Sequence, residues 1–280
     1  MTINRRSFLQ SAAALSLAAP TLSAQPPRVR LRLLRHATLI VQYAGKTLLV
    51  DPLFADAETQ PPISRTANQR RNPLVSLPAP ASSLIAGIDA VLVTHTHSDH
   101  WDGAAAKQLP PATRLFVQPE DAKKIGGQGF SNVRPIDMAT TFEAIGITRC
   151  GGEHGRGEVG KQMAPVSGFV LTAAGWPTVY IAGDTVWCSE VARVIATHQP
   201  SVIVVNSGAA QFLEGGPITM DAPDVLQVCG AASTATIVAV HMEAINHCLL
   251  TRAGLAQALA GSRYQPRVRI PADGETLELR

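Results

Sequence analysis

Short apolar runs separated by polar turns recur along most of this chain. Residues 30–34 alternate between polar and apolar side chains, and residues 38–43 and 47–50 continue this pattern on either side of a turn at 44–46. Such alternation predicts β-strands that bury one face. Because the connecting turns are short, we expect three neighbouring strands that form a β-meander.

From residue 90 onward the pattern changes to strands that alternate with helices. Apolar runs predict strands at 90–93, 114–118, 168–172, 178–182, 201–205 and 236–240. Amphipathic segments predict helices at 102–108, 189–198 and 252–260, with Ser189 and Thr251 as N-caps and Gly261 just after the last helix. A meander followed by strand–helix units is typical of a layered α/β fold.

The segment between these two blocks, residues 55–82, is rich in proline and polar side chains. A long irregular segment inside a compact domain is usually either functional or disordered. Its three arginines, Arg65, Arg70 and Arg71, allow two interpretations: they attract an anionic substrate, or they belong to a solvated loop.

Residues with metal-binding side chains are concentrated directly after the strand predicted at 90–93. His95, His97, Asp99 and His100 lie within six positions, and imidazole and carboxylate are common ligands of zinc and similar metals. His95 and His97 alternate in an extended segment, so their side chains point the same way and can share one metal. Asp99 and His100 follow where the chain turns and can face a second metal nearby. A solvated polar turn is the alternative interpretation.

Three further residues stand where such a site can be completed. Asp184 and His241 follow apolar strands, and His154 lies in a glycine-rich loop between predicted strands. In layered α/β folds, ligands gather where strand ends converge. Taken alone, His154 is typical of a surface histidine and Asp184 of a residue near a helix start, so only the combination predicts a metal site.

The composition allows a full-sized hydrophobic core and gives no support for a nucleic-acid or membrane partner. Of the 280 residues, 46% are hydrophobic and 16% are charged. The formal net charge of +3 is too small to argue for binding to nucleic acid or to a membrane surface. We therefore expect a small-molecule substrate, no nucleic acid and no stable membrane insertion.

The metal-binding residues resemble the signature of the metallo-β-lactamase superfamily. The HxHxDH motif of that superfamily matches His95, His97, Asp99 and His100, and its three distant ligands match His154, Asp184 and His241. The resemblance extends in order over about residues 30–250, and the strand that ends at 51–52 matches the usual opening of the fold. Within the superfamily, the sequence is similar to the metal-dependent hydrolase branch that includes the ascorbate-phosphate lactonase.

This resemblance implies an α/β fold, a four-layer αββα sandwich with the metals at one edge. It implies two divalent metal ions, for which zinc is expected and manganese is the alternative. The ligands would be His95, His97 and His154 for the first metal and Asp99, His100 and His241 for the second, with Asp184 as the bridge. Asp99 and Asp184 are the expected catalytic residues. The implied activity is that of a hydrolase whose hydroxide, held between two metals, attacks a lactone, ester, amide or phosphodiester.

Other functions are compatible with the same fold. A non-catalytic metal-binding or scaffold protein would keep the ligands without turnover, although every ligand position is filled here. A redox di-iron relative usually has glutamate at the second position of the motif, where His97 stands. A true β-lactamase stays open, whereas a nuclease is disfavoured by the near-neutral charge.

Three residues are candidates for supporting roles around the ligands. Asp51 either fixes the tautomer of a ligand histidine or stabilises the turn before Pro52. His247 is interpreted as supporting, substrate-contacting or structural, and His36 either faces the site or packs in the core. The four cysteines, Cys150, Cys188, Cys229 and Cys248, lack CxxC spacing, and we expect either disulfides or buried free thiols.

The first 24 residues have the layout of an export signal. Arg5 and Arg6 lie in a segment that resembles the twin-arginine motif, the apolar stretch at 11–19 is too short to span a bilayer, and residues 22–24 form a small-x-small cleavage site. A disordered tail is the alternative. We predict a twin-arginine-type signal peptide at 1–24, a metallo-β-lactamase-like hydrolase domain at 25–280, and a periplasmic or secreted protein. Removal of the signal would lower the formal net charge from +3 to +1.

Overall fold

Two β-sheets form the centre of the structure, a computed structural model that describes residues 28–163 and 165–280. The first sheet contains β1 (Val29–Arg35), β2 (Thr38–Tyr43), β3 (Lys46–Val50), β4 (Ala90–Val93), β5 (Leu115–Val117), β6 (Val133–Pro135) and β14 (Thr276–Leu279). The second contains β7 (Ala139–Phe142), β8 (Ile145–Cys150), β9 (Gly168–Thr172), β10 (Val179–Ile181), β11 (Val202–Asn206), β12 (Thr236–Val240) and β13 (Val268–Arg269). The predicted signal peptide and its cleavage site lie outside the described residues.

Helices connect the strands and cover the outer sides of both sheets. They are α1 (Ala81–Leu84), α2 (Gly103–Gln108), α3 (Pro119–Gly126), α4 (Gly157–Met163), α5 (Ser189–His198), α6 (Ala222–Ala231) and α7 (Arg252–Leu259), with a short 3₁₀ turn at Gln265–Arg267. Among the helices of the described residues, none has the length and apolarity needed to cross a bilayer.

Each sheet joins an antiparallel part to a parallel part. In the first sheet the order is β14-β1-β2-β3-β4-β5-β6, with antiparallel pairing from β14 to β3 and parallel pairing from β3 to β6. In the second the order is β13-β12-β11-β10-β9-β8-β7, and its parallel part runs from β10 to β13. The parallel strands β4, β10 and β12 therefore bring the loops that follow them towards one region.

Three hydrophobic clusters define four layers. The inner faces of both sheets pack together through apolar side chains such as Leu33 and Val204. Ala105 of α2 packs on the outer face of the first sheet, and Val191 of α5 and Val228 of α6 pack on the outer face of the second. Burying each large aliphatic side chain contributes about 1.5–3 kcal/mol, so the two sheet faces stabilise this stacking. The predicted αββα sandwich is confirmed.

Most predicted elements are present, with one correction at a helix start. All nine predicted strands and the helices at α2, α5 and α7 are observed within two residues of their expected bounds. Thr251 caps α7 by accepting a hydrogen bond from the backbone N–H of Gly254, and Gly261 has a φ of +72°. The prediction for Ser189 was wrong: Cys188 holds the N-cap position without a side-chain cap bond, and Ser189 is the first residue of α5.

The irregular segment after β3 is held in place by buried polar side chains. The Arg35 guanidinium donates to the backbone carbonyls of Leu53, Ala55 and Val75 at 2.9, 2.5 and 2.8 Å. The Asp102 carboxylate caps α2 and also accepts the backbone N–H of Ala55 at 2.6 Å. Buried backbone groups need such partners, so this segment is an ordered part of the domain.

Candidate metal centre

The predicted ligands converge although they come from four separate parts of the chain. His95, His97, Asp99 and His100 lie in the loop between β4 and α2, His154 precedes α4, Asp184 follows β10 and His241 follows β12. All are buried except His97, which is half-buried. Positive φ angles at His36, Asp51 and His241 turn the chain sharply just beyond the ends of β1, β3 and β12. Such strained backbone persists mainly where the surrounding structure fixes it, often at functional sites.

Three histidines form a first donor group. His97 Nδ1 lies 2.8 Å from His95 Nε2 and 3.3 Å from His154 Nε2. His154 Nδ1 donates to the carbonyl of Ile218 at 2.8 Å, so the neutral ring presents the lone pair of Nε2 to this group. Nitrogen ligands about 2.0–2.1 Å from a tetrahedral zinc ion are roughly 3.3 Å apart, so these three nitrogens fit one divalent cation.

A second donor group lies beside the first. His100 Nε2 and His241 Nε2 are 3.2 Å apart, and Asp99 Oδ2 lies 3.9 and 3.8 Å from them. His36 Nε2 is 3.2 Å from Asp99 Oδ2, so His36 also reaches this group. Three nitrogens and one carboxylate oxygen thus surround a second position suitable for a metal.

The Asp184 carboxylate lies between the two groups. Its Oδ2 is 3.5 Å from His154 Nε2 and 3.2 Å from His100 Nε2, which belong to different groups. Its Oδ1 is 3.3 Å from His241 Nε2 and accepts a hydrogen bond from Asn206 Nδ2 at 2.7 Å. One carboxylate therefore reaches donors of both groups, which is the geometry required of a bridging ligand.

The charges of the cluster also fit bound cations. Asp51, Asp99 and Asp184 are buried together, and within the described residues every ion-pair partner of these carboxylates is a histidine. Burial lowers the pKa of His95 and of His154 below the ordinary value, so both rings are neutral. Three buried carboxylates beside the neutral His95 and His154 rings concentrate negative charge, which is costly unless cations compensate it.

The carboxylates are held in the ionised form that binds metals. Burial alone would raise the pKa of Asp99, but the His100, His36 and His247 rings outweigh it and hold this pKa well below its usual range. Burial would also raise the pKa of Asp184, but the nearby His100 and His241 rings outweigh it and hold this pKa well below its usual range. Burial disfavours a charged His100 ring, yet Asp184, Asp99 and Asp51 raise its pKa well above the ordinary value. The same three carboxylates that favour a positive charge on His100 would also attract a divalent cation.

A further layer of hydrogen bonds orients the predicted ligands. His100 Nδ1 lies 2.8 Å from Asp51 Oδ2, and the Asp51 carboxylate also accepts the backbone N–H and the hydroxyl of Thr94 at 2.7 and 2.6 Å. The Cys248 thiol lies 3.6 Å from His241 Nδ1. All four cysteines are free thiols. Asp51 is therefore placed to hold His100 with Nε2 facing the second group.

Replacing Asp51 by asparagine is expected to weaken metal binding at the second group by about 10–100-fold, because His100 loses its carboxylate partner. Competition with a chromophoric chelator measures the affinity. Asp89→Asn is the matched control, since Asp89 pairs with Lys46 and the backbone of Thr47 outside the cluster. Equal affinities in the two variants would show that Asp51 does not orient His100.

A small cleft opens onto both donor groups. It has a volume of about 170 Å³ and its polar lining includes His97, Asp99, His154, Asp184 and His247. Its apolar lining comes from Ile63, Met163, Phe212 and Ile218, and Ser98 also contributes to the wall. This cleft gives a small molecule access to the cluster.

The three arginines of the segment at 55–82 lie outside the cleft lining. Arg70 pairs with Glu58 at 3.1 Å, Arg71 donates to the carbonyls of Glu58 and Thr59, and Arg65 lies 4.0 Å from Glu214. Among the described residues that line the cleft there is no arginine. Trp101 packs in the outer cluster of the first sheet, and its indole N–H donates to Gln128.

Sequence reasoning missed the apolar part of the cleft. Phe212 and Met163 lie outside the predicted elements, and Ile63 lies in the segment that gave no periodic signal. The sequence signal for it was the pair Phe212-Leu213, two large apolar residues in a loop of small and polar residues. In the structure Phe212 lines the cleft and Leu213 is 68% exposed.

Comparison with known proteins identifies the class of this fold and site. Residues 46–242 match the family described as "Beta-lactamase superfamily domain". The UPF0173 protein YddR of Bacillus subtilis is 42% identical over 246 residues, which cover 87% of this chain and 97% of YddR. The chain therefore belongs to the metallo-β-lactamase superfamily, as the resemblance implied.

Two solved structures resemble the chain along nearly its whole length. The isothiocyanate hydrolase from Delia radicum gut bacteria is 40% identical with a TM-score of 0.84, covering 89% of this chain and 98% of that one. A possible metal-dependent hydrolase from Veillonella parvula is 35% identical with a TM-score of 0.87, covering 90% and 100%. Further relatives are named metal-dependent hydrolases, so the expected class of enzyme, a metal-dependent hydrolase, is confirmed.

Proposed function

We propose that this protein is a hydrolase that uses two divalent metal ions, zinc in the first instance, on a small and largely apolar electrophile. The observation that carries the proposal is the position of Asp184, whose carboxylate reaches donors of both groups. A protein that bound one structural metal would need neither the second group nor a cleft that opens onto both.

The chemistry follows from what each side chain can do. When bound, two divalent cations lower the pKa of a coordinated water and polarise the electrophilic atom of the substrate. Asp184, fixed by Asn206, holds the two groups at a constant separation. Asp99 lines the cleft as an ionised carboxylate, so its Oδ2 can accept a hydrogen bond from the attacking water and orient it.

The cleft supports a small substrate. Its volume of about 170 Å³ is below the usual range for drug-sized ligands, and much of its lining is aliphatic or aromatic. Asn246 fixes one side of it: the side-chain carbonyl accepts the backbone N–H of Ile63 at 2.9 Å and Asn72 Nδ2 at 2.8 Å. Ile63 is thereby held beside the metal-binding residues.

Among small electrophiles we propose an organic isothiocyanate as the first candidate. The Delia radicum gut bacterial enzyme, 40% identical to this chain, is an isothiocyanate hydrolase. An isothiocyanate is a compact reacting group on an apolar substituent, which suits the lining of this cleft. In the overall reaction, R–N=C=S and one water give the amine R–NH₂ and carbonyl sulfide. Lactones, esters, amides and phosphodiesters are the alternatives.

A substrate panel tests the proposal. The zinc-loaded and manganese-loaded proteins are assayed with benzyl isothiocyanate, δ-valerolactone, 4-nitrophenyl acetate, an anilide and bis(4-nitrophenyl) phosphate. We expect hydrolysis that is abolished by chelation and restored by metal, with benzyl isothiocyanate preferred. A folded protein that binds metal and hydrolyses none of these would favour the non-catalytic alternative. Preference for another compound would reject the isothiocyanate alone.

Shortening Ile63 to alanine is expected to raise KM for the preferred substrate by roughly tenfold, since each lost methylene contact in a pocket is worth about 1–3 kcal/mol. Metal content and kcat should change little, because the backbone hydrogen bonds of Ile63 go to Asn246 and Thr66, which are not predicted ligands. Steady-state kinetics measure both constants. Leu249→Ala, at an apolar residue that is 45% exposed and outside the cleft, is the control. An unchanged KM would remove Ile63 from the substrate site.

A further inference from the structure

One histidine of the cleft has no role in either donor group. His247 is buried, lines the cleft, and stands outside the groups that bring metal-binding atoms together. Its Nδ1 has no hydrogen-bond partner among the described residues. Its Nε2 is 4.0 Å from Asp99 Oδ2, which is beyond hydrogen-bond distance. Nε2 forms no hydrogen bond among the described residues either, and it is the nitrogen on the side of Asp99, which also lines the cleft. A buried imidazole without partners is costly, so a ligand in the cleft that bonds to Nε2 would be favoured.

The other buried histidines differ from His247 in this respect. His100 Nδ1 is hydrogen-bonded to the Asp51 carboxylate, and His154 Nδ1 is hydrogen-bonded to the Ile218 carbonyl. His36 also has an unpartnered Nδ1, but its Nε2 lies 3.2 Å from Asp99, and His36 is not among the residues that line the cleft. Among the described histidines, His247 alone combines burial, an unpartnered nitrogen and a place in the cleft wall.

Hydrogen bonds fix the backbone of the segment that carries His247. The His247 carbonyl accepts the backbone N–H of Gln211 at 3.0 Å, next to Phe212 of the cleft. The preceding residue, Asn246, donates from Nδ2 to Thr66 Oγ1 at 2.7 Å and to the Asn68 carbonyl at 2.6 Å. A polar group on a fixed support pays little ordering cost when it binds a ligand.

We propose that His247 is a substrate-binding residue whose imidazole hydrogen-bonds an electronegative atom of the reacting group beside Asp99. The neutral ring offers one N–H donor and one nitrogen acceptor, so it suits the oxygen, nitrogen or sulfur atoms that flank an electrophilic carbon or phosphorus. This inference rests on the proposed function of the site. It also predicts how the substrate lies in the cleft. The reacting group would face the donor groups and His247, and the apolar substituent would pack against Ile63, Met163 and Phe212.

Inorganic phosphate and benzyl isothiocyanate serve as probes on the zinc-loaded full-length protein. The variants are His247→Phe, which removes both ring nitrogens, His247→Asn, which keeps a donor and an acceptor, and His198→Asn as the control on α5 away from the cleft. Bound zinc is measured by elemental analysis, phosphate affinity by calorimetry, folding by thermal unfolding, and kcat and KM by kinetics.

We expect every variant to hold as much zinc as the original protein. His247→Phe should weaken phosphate binding by about tenfold and lower kcat/KM by a similar or larger factor, His247→Asn should recover part of both losses, and His198→Asn should change neither. Loss of zinc in a folded His247→Phe or His247→Asn protein would make His247 a metal ligand and overturn the proposal, as would unchanged phosphate affinity. If the original protein hydrolyses no compound of the substrate panel, the proposed function fails, while the phosphate measurement still decides the role of His247.

Discussion

Exchanging Asp184 for asparagine is expected to leave the protein unable to hold both metal ions and to lower kcat/KM by about a thousandfold or more. Among the carboxylates of the described residues, that of Asp184 alone has oxygens within 4.0 Å of histidines from both donor groups. Asparagine keeps the size but loses the negative charge that compensates two dications. A metal centre supplies several kcal/mol of transition-state stabilisation, and each 1.36 kcal/mol is a factor of ten in rate.

Elemental analysis and steady-state kinetics measure both effects. Asp137→Asn is the matched control, because Asp137 is exposed and is not among the described carboxylates that pair with the clustered histidines. The unfolding temperature of the Asp184→Asn protein shows whether the domain persists, so loss of metal is separated from loss of fold. An Asp184→Asn protein that keeps two metals per chain and the original rate would contradict the bridging role.

Replacing His97 by alanine is expected to remove the metal of the first donor group while the second stays occupied. His97 Nδ1 is within 2.8 and 3.3 Å of the other two nitrogens, so it is central to that group. The bound metal should fall from two to one per chain, and kcat/KM should fall by about a thousandfold, because one of the two cations no longer acts on water and substrate. His97 is half-buried, so its loss should disturb the core less than loss of His95.

The control for this change is His198→Ala, which removes a histidine in the last turn of α5. Metal analysis of the two proteins under identical loading gives the comparison. Unchanged metal content together with an unchanged rate in His97→Ala would refute the assignment of His97 as a ligand.

Most of the residues that converge at the candidate site could be predicted from the sequence, because they carry local signals. His95, His97, Asp99 and His100 adjoin a buried strand, and Asp184 and His241 follow strands of continuous apolar residues. In a parallel sheet, residues at corresponding strand ends lie at the same edge, so chain order alone indicates proximity. The prediction that His154 lies near the other residues depended on the resemblance, because no continuous run of apolar residues directly precedes its loop.

The cleft and its supports could not be predicted, because they depend on contacts between distant segments. Ile63 becomes part of the site only through Asn246, which is 183 residues away along the chain. Asn206 donates a hydrogen bond to Asp184, which is 22 residues away along the chain, and no sequence pattern or spacing predicts that bond. The same limit applies to Ser189: helix-start preferences favour serine as an N-cap, but the turn that brings the chain into α5 places Cys188 there.

The central claim, that two metals act together at this site, is tested most directly by metal titration. The purified protein is stripped with a chelator, and zinc is added back in fractions of an equivalent while bound metal and hydrolysis of the preferred panel substrate are followed. Two equivalents should bind per chain, with hydrolysis returning mainly as the second is taken up. Full hydrolysis after one equivalent, or in the metal-free protein, would contradict the account.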